Sequence, residues 1–589
     1  MDAGIISVTY EPRWRILMLR GYFYTKDERD RVEIVIEEKE SLGLASLGQR
    51  RIIRDDKYAG WIFEGQLSFD LKSNEKITAI CHNKSGSLVK ATWTYRPRDI
   101  LANGSLMEDE IQPSFIKRLR ELMISPSSIL PTARKHLRRY ASALTAILRQ
   151  APGFIPKPPT NTILLAIHNL EIENRIEKLK CFEEIHRAMT RRGWRLLIVH
   201  HSMFPLETTI PKVEFLDFGI SLVQMGHFLW HRRNAKRDRK GYRLALFHAT
   251  TLLHEFQRAL TGKANWREAY NQVVTEATKF EYIIKKYRPA GCMLWHEWNS
   301  FAHMNRFLCE EYGIPTTFVH EGFLADTLGI DTKGEMAESY PARESEKFNS
   351  LPITSHDLKR AKSYLNRLRD NRMDRKPQVK AGLVAQITNP LKQKGKKVLF
   401  YAGVNDWQTG MLPTWWDKSK IHSPIFIDSY DALDELARIC DLNDWYLLFK
   451  PHPNVRAEKL SLLSERIILL QSANIIECIQ ETDVCISLFS TAMYVAMVHE
   501  RPIVLLGRSS MTGSGCAYEI SDSQDIADTI KSALEGLDWN RKRKKFHEHA
   551  ARLIRYYLYP YSPESCMFLE KSYDDTARFL IKNTNNDVF

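Results

Sequence analysis

Residues 445–453 read Trp-Tyr-Leu-Leu-Phe-Lys-Pro-His-Pro, an apolar run that gives way abruptly to charged and rigid residues. An apolar run this short, bounded by turn residues, is typical of a buried strand in a parallel sheet. Similar runs occur on both sides of it and alternate with helical patterns at 430–440, 491–499 and 523–536. This alternation predicts a doubly wound α/β lobe over residues 391–540. Its other predicted strands are 397–401, 467–469, 484–487 and 502–506.

The chain before this lobe shows the same alternation. A strand pattern at 162–167 leads into a helical pattern at 172–192, which predicts the opening of another strand–helix–strand series. We therefore predict a second doubly wound, Rossmann-like lobe over residues 161–390, and mostly helical residues at 541–589 that close back on the lobes. The remaining predicted elements of the 161–390 lobe are strands at 194–200, 292–295 and 316–319, a basic helical region at 212–289 and a helix at 300–312.

The N-terminal part of the chain follows a different pattern. Segments 31–37, 76–81 and 88–95 are rich in β-forming residues, and polar turn clusters separate them. They predict a small β-sandwich-like module over residues 1–105. Residues 106–160 are predicted to be a helical connector that ends in a proline-rich linker.

Composition limits the classes of protein that the chain can be. Lys and Arg total 85 against 71 Asp and Glu, a net charge of +14, which suits phosphate-bearing substrates, nucleic acid or an anionic membrane face. The nine cysteines are scattered singly without metal-ligand spacing, so we expect no metal site and a reducing, cytoplasmic compartment. No secretory signal pattern is found, and the apolar runs are too short to cross a bilayer.

Polar residues follow predicted strands of the 391–540 lobe at the edge where parallel sheets bind ligands. Lys450 and His452 offer a fixed positive charge and a constrained imidazole, which suits a phosphate leaving group; a rigid turn with solvated side chains is the alternative. Ser490 and Thr491 can cap the following helix, whose N-terminus can bind an anion, or they are ordinary caps without a ligand.

Two further positions in this lobe are candidates for ligand contact. Gly403 follows the first predicted strand, where a glycine lets the backbone approach a ligand closely. Arg508 lies in a Gly/Ser-rich loop that either closes over a bound ligand or is only a surface loop.

Acids and histidines follow two predicted strands of the 161–390 lobe. His320 and Glu321 stand directly before a glycine, where Glu321 has the chemistry of a general base or a nucleophile; a capping Glu beside a structural glycine is the alternative. His296 and Glu297 follow another strand, and Asp326 lies beyond the glycine, so all three are candidates for the same edge.

These residues resemble the capsule polysaccharide synthesis family, which includes the Kdo transferases of bacterial capsule and O-antigen assembly. The resemblance covers about residues 290–520, and the chain before residue 160 lies outside it. The segments that carry it are 313–329 (GIPTTFVHEGFLADTLG), 425–436 (IFIDSYDALDEL), 450–453 (KPHP) and 490–506 (STAMYVAMVHERPIVLL).

The resemblance implies a GT-B-like fold, with two doubly wound lobes around one cleft, and sugar transfer without a metal or other cofactor. In that family the His-Pro motif contacts the cytidylate phosphate, and the acid directly before the glycine carries the catalytic carboxylate. These roles correspond to His452 and Glu321 in this chain. Where the family has a pair of acids, this chain has His320-Glu321, and a Glu reaches one methylene further than the usual Asp.

The expected function is a glycosyltransferase with a nucleotide-sugar donor, CMP-Kdo favoured, and an oligosaccharide or lipid-linked glycan acceptor of a bacterial surface polysaccharide. In this reading the 391–540 lobe binds the donor nucleotide and the 161–390 lobe the acceptor, with catalytic residues Glu321 and His320. The donor side would include Lys450, His452, Ser490, Thr491, Gly403 and Arg508, and the acceptor side His296, Glu297 and Asp326. A polyol-phosphate transferase of the CDP-glycerol type is one alternative, in which His320 or His296 would be a second catalytic histidine. A non-catalytic polysaccharide- or nucleic-acid-binding protein is another, but no nucleic-acid recognition signature is found, so we expect no nucleic-acid partner. The basic run at 541–545 suggests at most weak, peripheral association with an anionic membrane surface, since such runs are usually solvated helix faces.

Overall fold

The structure is a computed structural model that describes the chain in segments. These segments form two compact units, one built on an N-terminal sheet and one that contains two α/β sheets. Among the described helices, none combines the length and the apolar character needed to cross a bilayer. The described residues are 3–11, 16–24, 31–36, 41–53, 56–66, 76–82, 88–94, 161–167, 175–200, 215–216, 242–261, 265–371, 373, 382–407, 409–412, 419–452, 464–470, 473–520 and 522–584.

The N-terminal unit is an antiparallel sheet. Its strands are β1 (Ala3–Glu11), β2 (Ile16–Tyr24), β3 (Arg31–Ile36), β4 (Ser41–Ile53), β5 (Asp56–Gln66), β6 (Lys76–His82) and β7 (Leu88–Thr94). They are paired in the order β1-β2-β5-β4-β3-β6-β7. The first part of β4 pairs with β3 and the rest pairs with β5, with an irregularity between Gly48 and Arg50. A long, bulged strand that changes partners in this way bends a sheet toward two layers.

The first α/β lobe is built on a sheet to which a strand from near the C-terminus is added. Its strands are β8 (Thr162–Ile167), β9 (Arg195–His200), β10 (Phe215–Leu216), β11 (Gly291–Trp295), β12 (Thr316–Glu321), β13 (Thr327–Asp331) and β20 (Leu558–Pro560). They lie in the order β10-β9-β8-β11-β12-β13-β20, and β10 through β12 run parallel. β8 and β11 are buried along their whole length, which explains their continuous apolar sequences.

The second α/β lobe is built on a fully parallel sheet. Its strands are β14 (Val398–Ala402), β15 (Tyr446–Lys450), β16 (Ile467–Leu469), β17 (Val484–Ser487), β18 (Ile503–Leu505) and β19 (Tyr518–Glu519). They lie in the order β16-β15-β14-β17-β18-β19, which in chain order is the 3-2-1-4-5-6 arrangement of a doubly wound sheet. The first lobe follows the same order through its parallel strands. The prediction of two doubly wound, Rossmann-like lobes that follow a β-rich module along the chain is therefore confirmed.

Helices flank both sheets and connect them. In the first lobe they are α1 (Arg175–Thr190), α2 (Tyr242–Thr261), α3 (Trp266–Tyr287) and α4 (Ser300–Glu311). The connection between the lobes contains α5 (Tyr340–Arg343), α6 (Ser345–Ser350), α7 (Ser355–Asp370) and α8 (Leu383–Gln393). The rest of the chain contains α9 (Ser419–His422), α10 (Ser429–Asn443), α11 (Ile475–Gln480), α12 (Ala492–Val498), α13 (Ile526–Leu534), α14 (Trp539–Arg552), α15 (Pro563–Leu569) and α16 (Tyr573–Lys582).

The strand β10 lies inside the region that the sequence predicted to be helical throughout. It has two residues and pairs only at the sheet edge, Phe215 with Ile198 and Leu216 with Val199. A strand of this length carries no periodic signal, because alternation needs at least four residues to be recognised.

The last part of the chain returns to the first lobe. β20 pairs with β13, with Tyr559 opposite Leu328, and Arg192 after α1 forms an ion pair with Asp574 of α16. The sequence predicted mostly helical residues over 541–589, and Leu558–Pro560 is a break in that helical pattern. The break is a strand because its pairing partner, β13, lies far away in the sequence.

A shared aromatic stack joins the two lobes. The ring of Phe323, from the first lobe, stacks between Tyr494 of α12 and Tyr557, with centroid distances of 5.4 and 5.5 Å. All three side chains are buried and belong to one hydrophobic core that extends through both lobes. The lobes therefore pack on each other directly, in addition to being connected by the chain.

Candidate active site

The two lobes also meet through the loops that follow their switch-point strands, where the strand order reverses. Trp298 lies just beyond β11, and its ring makes an edge contact with His422 at 5.1 Å. A Cβ on Gly410 would lie 2.5 Å from the same indole ring. Gly410 and His422 both lie in the connection that leaves β14. The carboxyl-terminal edges of the two sheets, where doubly wound folds bind ligands, therefore face each other.

The helix α10, which precedes β15 in the connection from β14, begins among buried carboxyl groups. Asp428 accepts hydrogen bonds from the backbone N–H groups of Tyr430 and Asp431, both at 2.9 Å. Asp406 accepts from the backbone and hydroxyl of Ser429, and burial followed by the nearby Asp428 charge raises its pKa well above the usual range. Dinucleotide folds place a pyrophosphate at this helix end. Here carboxyl groups occupy it, which disfavours an anion at this helix end.

The carboxyl ends of β14 and β17 are joined by a single side chain. The hydroxyl of Ser487 donates to the carbonyl of Ala402 at 2.7 Å and accepts from the backbone N–H of Ser490 at 3.2 Å. This hydroxyl fixes the loop after β17 against the end of β14. The end of β14 and the loop after β17, which lie on the two sides of the switch point, are thus fixed relative to each other.

Gly403 lies in close contact with the loop that follows β15. Its N–H donates to the carbonyl of Lys450 at 2.9 Å, and a Cβ would lie 3.1 Å from the Phe449 ring and 3.2 Å from the Cα of Pro451. Any side chain here would push against the loop that follows β15. The glycine therefore keeps the segment around Lys450 close to the end of β14.

Lys450 and His452 lie at this same edge of the sheet. Lys450 ends β15 and is half-buried, Pro451 is buried, and His452 is half-buried. The ammonium group of Lys450 lies near Cys478 of α11: burial raises the pKa of that thiol to about 12, and the Lys450 charge opposes the shift. A half-buried cation at a carboxyl-terminal strand edge can neutralise a phosphate.

Ser490 and Thr491 stand before α12, as predicted from the sequence. The hydroxyl of Ser490 accepts from the backbone N–H of Ala492 at 3.2 Å, while the side chain of Thr491 makes no capping hydrogen bond. With seven residues, α12 is barely two turns long, so its dipole is small. This geometry gives Ser490 a capping role and adds little support for an anion site there.

Arg508 belongs to a segment that is held at its backbone. Its N–H donates to the carbonyl of His422 at 2.6 Å, and a Cβ on Gly507 would lie 2.5 Å from that carbonyl oxygen. The side chain of Arg508 is exposed. The loop therefore begins as a fixed segment beside the connection from β14, with a cation at its surface.

Glu321 is placed by a tight hairpin between β12 and β13. It is the last residue of β12, is half-buried, and pairs with Leu328 of β13. A Cβ on the next residue, Gly322, would lie 1.9 Å from Oγ1 of Thr327, so only glycine permits this turn. The Glu-Gly step thus holds a carboxylate at the carboxyl-terminal edge of the first sheet, next to the loop after β11.

His320 points to the opposite face of β12 from Glu321, as strand geometry requires. Its ring is buried: Nδ1 donates to the carbonyl of Glu321 at 2.7 Å, and Nε2 accepts from the hydroxyl of Tyr557 at 3.2 Å. A Cβ on Gly329, directly opposite in β13, would lie 2.3 Å from the ring. His320 therefore supports the hairpin that presents Glu321.

His296 and Glu297 follow β11 and contact Glu335, a residue outside the set predicted from the sequence. Nδ1 of His296 lies 3.1 Å from Oε2 of Glu335, and the Glu297 carboxylate forms an ion pair with Arg306 of α4 at 2.5 Å. His296 has φ +61, a left-handed conformation that costs a non-glycine residue about 1–2 kcal/mol. Glu335 lies in an irregular stretch without periodicity, so no signal in the sequence marks it.

Asp326 is turned toward the C-terminal helices. Its carboxylate accepts from the hydroxyl of Ser562 at 2.7 Å and lies 3.7 Å from the guanidinium of Arg367. Burial raises the pKa of Asp326, and both partners oppose that shift. These contacts attach the hairpin to α7 and α15, and the structure does not bring Asp326 together with His296 or Glu335.

The basic run on α14 is largely used within the fold. Arg541 pairs with Asp538, Arg543 with Glu500, and Lys545 with Glu548. Lys542 donates to the carbonyl of Ala517 and lies over the Tyr518 ring at 4.3 Å. Most of the run is therefore balanced by the protein, and membrane association remains a prediction.

Comparisons with known proteins bear on the fold. No protein-family model matches the chain, and no curated protein matches it. Among solved structures, it is similar to a KpsC beta Kdo 2,7 transferase from Thermosulfurimonas dismutans, with 16% identity over 51% of this chain and 88% of that chain, at a TM-score of 0.31. A KpsC beta Kdo 2,4 transferase from the same organism gives 13% identity, coverages of 50% and 87%, and a TM-score of 0.34.

A third similar structure is α,α-trehalose 6-phosphate synthase from Burkholderia multivorans, with 12% identity over 72% of this chain and 98% of that chain, at a TM-score of 0.33. Scores at this level assign no donor, acceptor or residue role to this chain. The topology on its own is GT-B-like: two doubly wound lobes whose ligand-binding edges face each other.

Proposed function

We propose that this protein is a glycosyltransferase that moves a sugar from a nucleotide-sugar donor to an oligosaccharide or lipid-linked glycan acceptor of a bacterial surface polysaccharide. The favoured donor is CMP-Kdo. One observation carries the proposal: Trp298, beyond β11, contacts His422 and Gly410, beyond β14. Two sheets that face each other at their ligand-binding edges suit a reaction between two bound substrates. One lobe can hold the donor and the other the acceptor.

In this proposal the second lobe binds the nucleotide phosphate through Lys450 and His452. Gly403 and Pro451 hold this segment against β14, so the cation and the imidazole are positioned before the donor arrives. As the bond between the anomeric carbon and the phosphate oxygen breaks, the electron pair leaves with the phosphate. The positive charge of Lys450 stabilises that developing negative charge.

The first lobe supplies Glu321 as the catalytic carboxylate. The hairpin fixed by Gly322 and supported by His320 holds it at the strand edge. A carboxylate at this point either stabilises the positive charge that develops on the sugar ring or bonds to the anomeric carbon in a two-step transfer. Both routes use the same residue, and they differ in the configuration of the product.

The donor assignment is tested by nucleotide binding. A thermal-shift series with CMP, CDP, UDP, dTDP and GDP should give the largest rise in melting temperature with CMP, because a ligand that binds only the folded state stabilises it. Lys450→Ala and His452→Ala should weaken this binding and raise the donor KM. Matched controls are Lys392→Ala, a half-exposed lysine paired with Glu481, and His356→Ala, an exposed histidine paired with Glu570.

Three results would change the proposal. A response to CDP together with transfer from CDP-glycerol would favour polyol-phosphate transfer. Nucleotide binding that is unaffected in both site variants would remove Lys450 and His452 from the donor site. Polysaccharide or nucleic-acid binding without turnover of any donor would reject a transferase altogether.

A further inference from the structure

His296 lies at the switch point of the first sheet, where doubly wound folds bind ligands. It is the first residue after β11, at the point where the strand order reverses between β8 and β11. Its side chain is 39% exposed, whereas the neighbouring Trp295, Glu297 and Trp298 are buried. Its backbone is held at φ +61. Strained backbone that persists at a ligand-binding edge is common where a side chain must be aimed at a substrate.

Glu335 holds the His296 ring in one orientation. This carboxylate is buried, with one oxygen 3.1 Å from Nδ1 of His296 and the other accepting the backbone N–H of Glu297 at 2.5 Å. Burial acts to raise the pKa of Glu335, but the nearby His296 and its hydrogen bond, together with His320 and the backbone N–H of Glu297, outweigh burial and hold the value at about 2. Glu335 is thus an anion throughout the neutral range. A hydrogen bond from Nδ1 to a carboxylate leaves Nε2 as the acceptor nitrogen of the neutral ring.

The other charged groups around the pair have partners of their own. Glu297 pairs with Arg306, and its second oxygen accepts the backbone N–H of Glu335 at 3.0 Å. On the β12 side, His320 lies close enough to lower the pKa of Glu335. The ring of His320 is hydrogen-bonded to the hydroxyl of Tyr557. Arg306 therefore balances Glu297, which leaves Glu335 to act on His296.

We propose that His296 is the general base that takes the proton of the acceptor hydroxyl, and that Glu335 is the residue that positions it. This assignment rests on the proposed function. The acceptor oxygen forms its bond to the anomeric carbon while its proton passes to Nε2 of His296. The electron pair of the breaking bond leaves with the group that held the sugar, which is the nucleotide phosphate in a single displacement or the Glu321 carboxylate in a two-step transfer.

The division of roles follows from position. Glu321 lies at the end of β12 and His296 at the end of β11, which are adjacent parallel strands. Neighbouring strand ends can hold two groups on one substrate pair, with Glu321 at the sugar and His296 at the attacking hydroxyl. The imidazolium formed by proton transfer is stabilised by the Glu335 anion, as in other histidine–carboxylate pairs.

The test is steady-state kinetics of the full-length protein with donor and acceptor. His296→Gln keeps a polar side chain without a basic nitrogen, and kcat should fall by about 10²-fold while nucleotide affinity and acceptor KM change little. The control is His356→Gln, which removes another histidine–glutamate pair on the surface and should leave kcat unchanged. Thermal unfolding of each variant separates loss of activity from loss of the fold.

The pH profile separates catalysis from packing. A protonated imidazole cannot accept a proton, so wild-type kcat should fall toward acidic pH. His296→Gln should lose the part of this fall that the imidazole causes and keep only the part that protonation of the Glu321 carboxylate causes. Glu335→Gln, which keeps the shape and removes the charge, should lower kcat with little change in acceptor KM, because the His296 ring loses the carboxylate that positions it. Glu335→Asp should recover part of the lost rate if positioning is the role.

The outcomes distinguish the two proposals. Transfer by the wild type that His296→Gln retains within about threefold, or a pH profile of this variant that has the same shape as the wild-type profile, overturns the base assignment alone. Absence of transfer by the wild type with every donor tested overturns the proposed function and the base assignment with it. A rate loss in His296→Gln with an altered pH profile and a normal melting temperature supports the assignment.

Discussion

The contact between His320 and Gly329 yields a sharp prediction about the hairpin that carries Glu321. The two residues lie directly opposite each other in β12 and β13, and a Cβ on Gly329 would lie 2.3 Å from Cε1 and 2.4 Å from Nε2 of the His320 ring. A real Cβ needs more than 3 Å. In Gly329→Ala the ring must therefore shift by roughly 1 Å, which weakens its hydrogen bonds to the Glu321 carbonyl and the Tyr557 hydroxyl.

The expected magnitude depends on the background in which the change is made. With His320 present, Gly329→Ala should lower the free energy of unfolding by about 1–3 kcal/mol, the usual cost of overpacking a buried site. With His320→Ala the ring is absent, and the same substitution should be neutral or stabilising by about 0.5–1 kcal/mol, because alanine is less costly than glycine in a strand. The double-mutant cycle should thus give a coupling free energy of about 1–4 kcal/mol.

The assay is urea unfolding of the full chain, followed by tryptophan fluorescence and circular dichroism, with all four members of the cycle measured under the same conditions. A parallel cycle that pairs Gly329→Ala with the distant His356→Ala should give no coupling. Equal destabilisation by Gly329→Ala in both His320 backgrounds would refute the reasoning. It would mean that the glycine is needed for its backbone rather than for the ring that packs over it.

Two further predictions concern a carboxylate and a buried histidine. Glu321→Gln should leave nucleotide affinity intact and lower kcat by about 10²-fold or more, and normal turnover in a paired binding and kinetic measurement would exclude Glu321 as the catalytic group. Burial, followed by the Arg552 charge, lowers the pKa of His549 to about 3. The unfolded chain therefore binds more protons below pH 6.5, so the free energy of unfolding should fall by about 2 kcal/mol between pH 6.5 and pH 5 through this group. Urea unfolding of His549→Gln should show a shallower pH dependence, and an unchanged slope would contradict the effect.

The elements that sequence could predict are those whose signal is local. The apolar run before Lys450 is a strand because every one of its inner residues is buried, and Lys450 and His452 follow it at the ligand-binding edge. The same reasoning placed Glu321 and His296 at strand ends. In each case a strand of the right length ended where the polar residues began, so a few consecutive positions carried the information.

The parts that sequence could not predict depend on contacts between distant positions. His320 and Glu321 are neighbours with similar polarity. The ring of His320 is enclosed by Gly329 and Tyr557, whereas Glu321 is the half-buried last residue of β12. Asp326 looked like a cleft residue because it lies close to Glu321 in sequence. Its contacts with Ser562 and Arg367 arise only because α7 and α15 pack against the hairpin.

By itself, the sequence of this protein determined the two doubly wound lobes, the β-rich module before them, and the strand ends that carry Lys450, His452, Glu321 and His296. Periodicity and turn chemistry act within a few residues, so they can be read without a structure. Only the tertiary structure decided that Glu335 orients His296, that Trp298 meets His422, and that β20 completes the first sheet. These contacts join residues that are far apart in the sequence. Burial stabilises them only after the distant segments have come together, at a cost in chain entropy that no local pattern records.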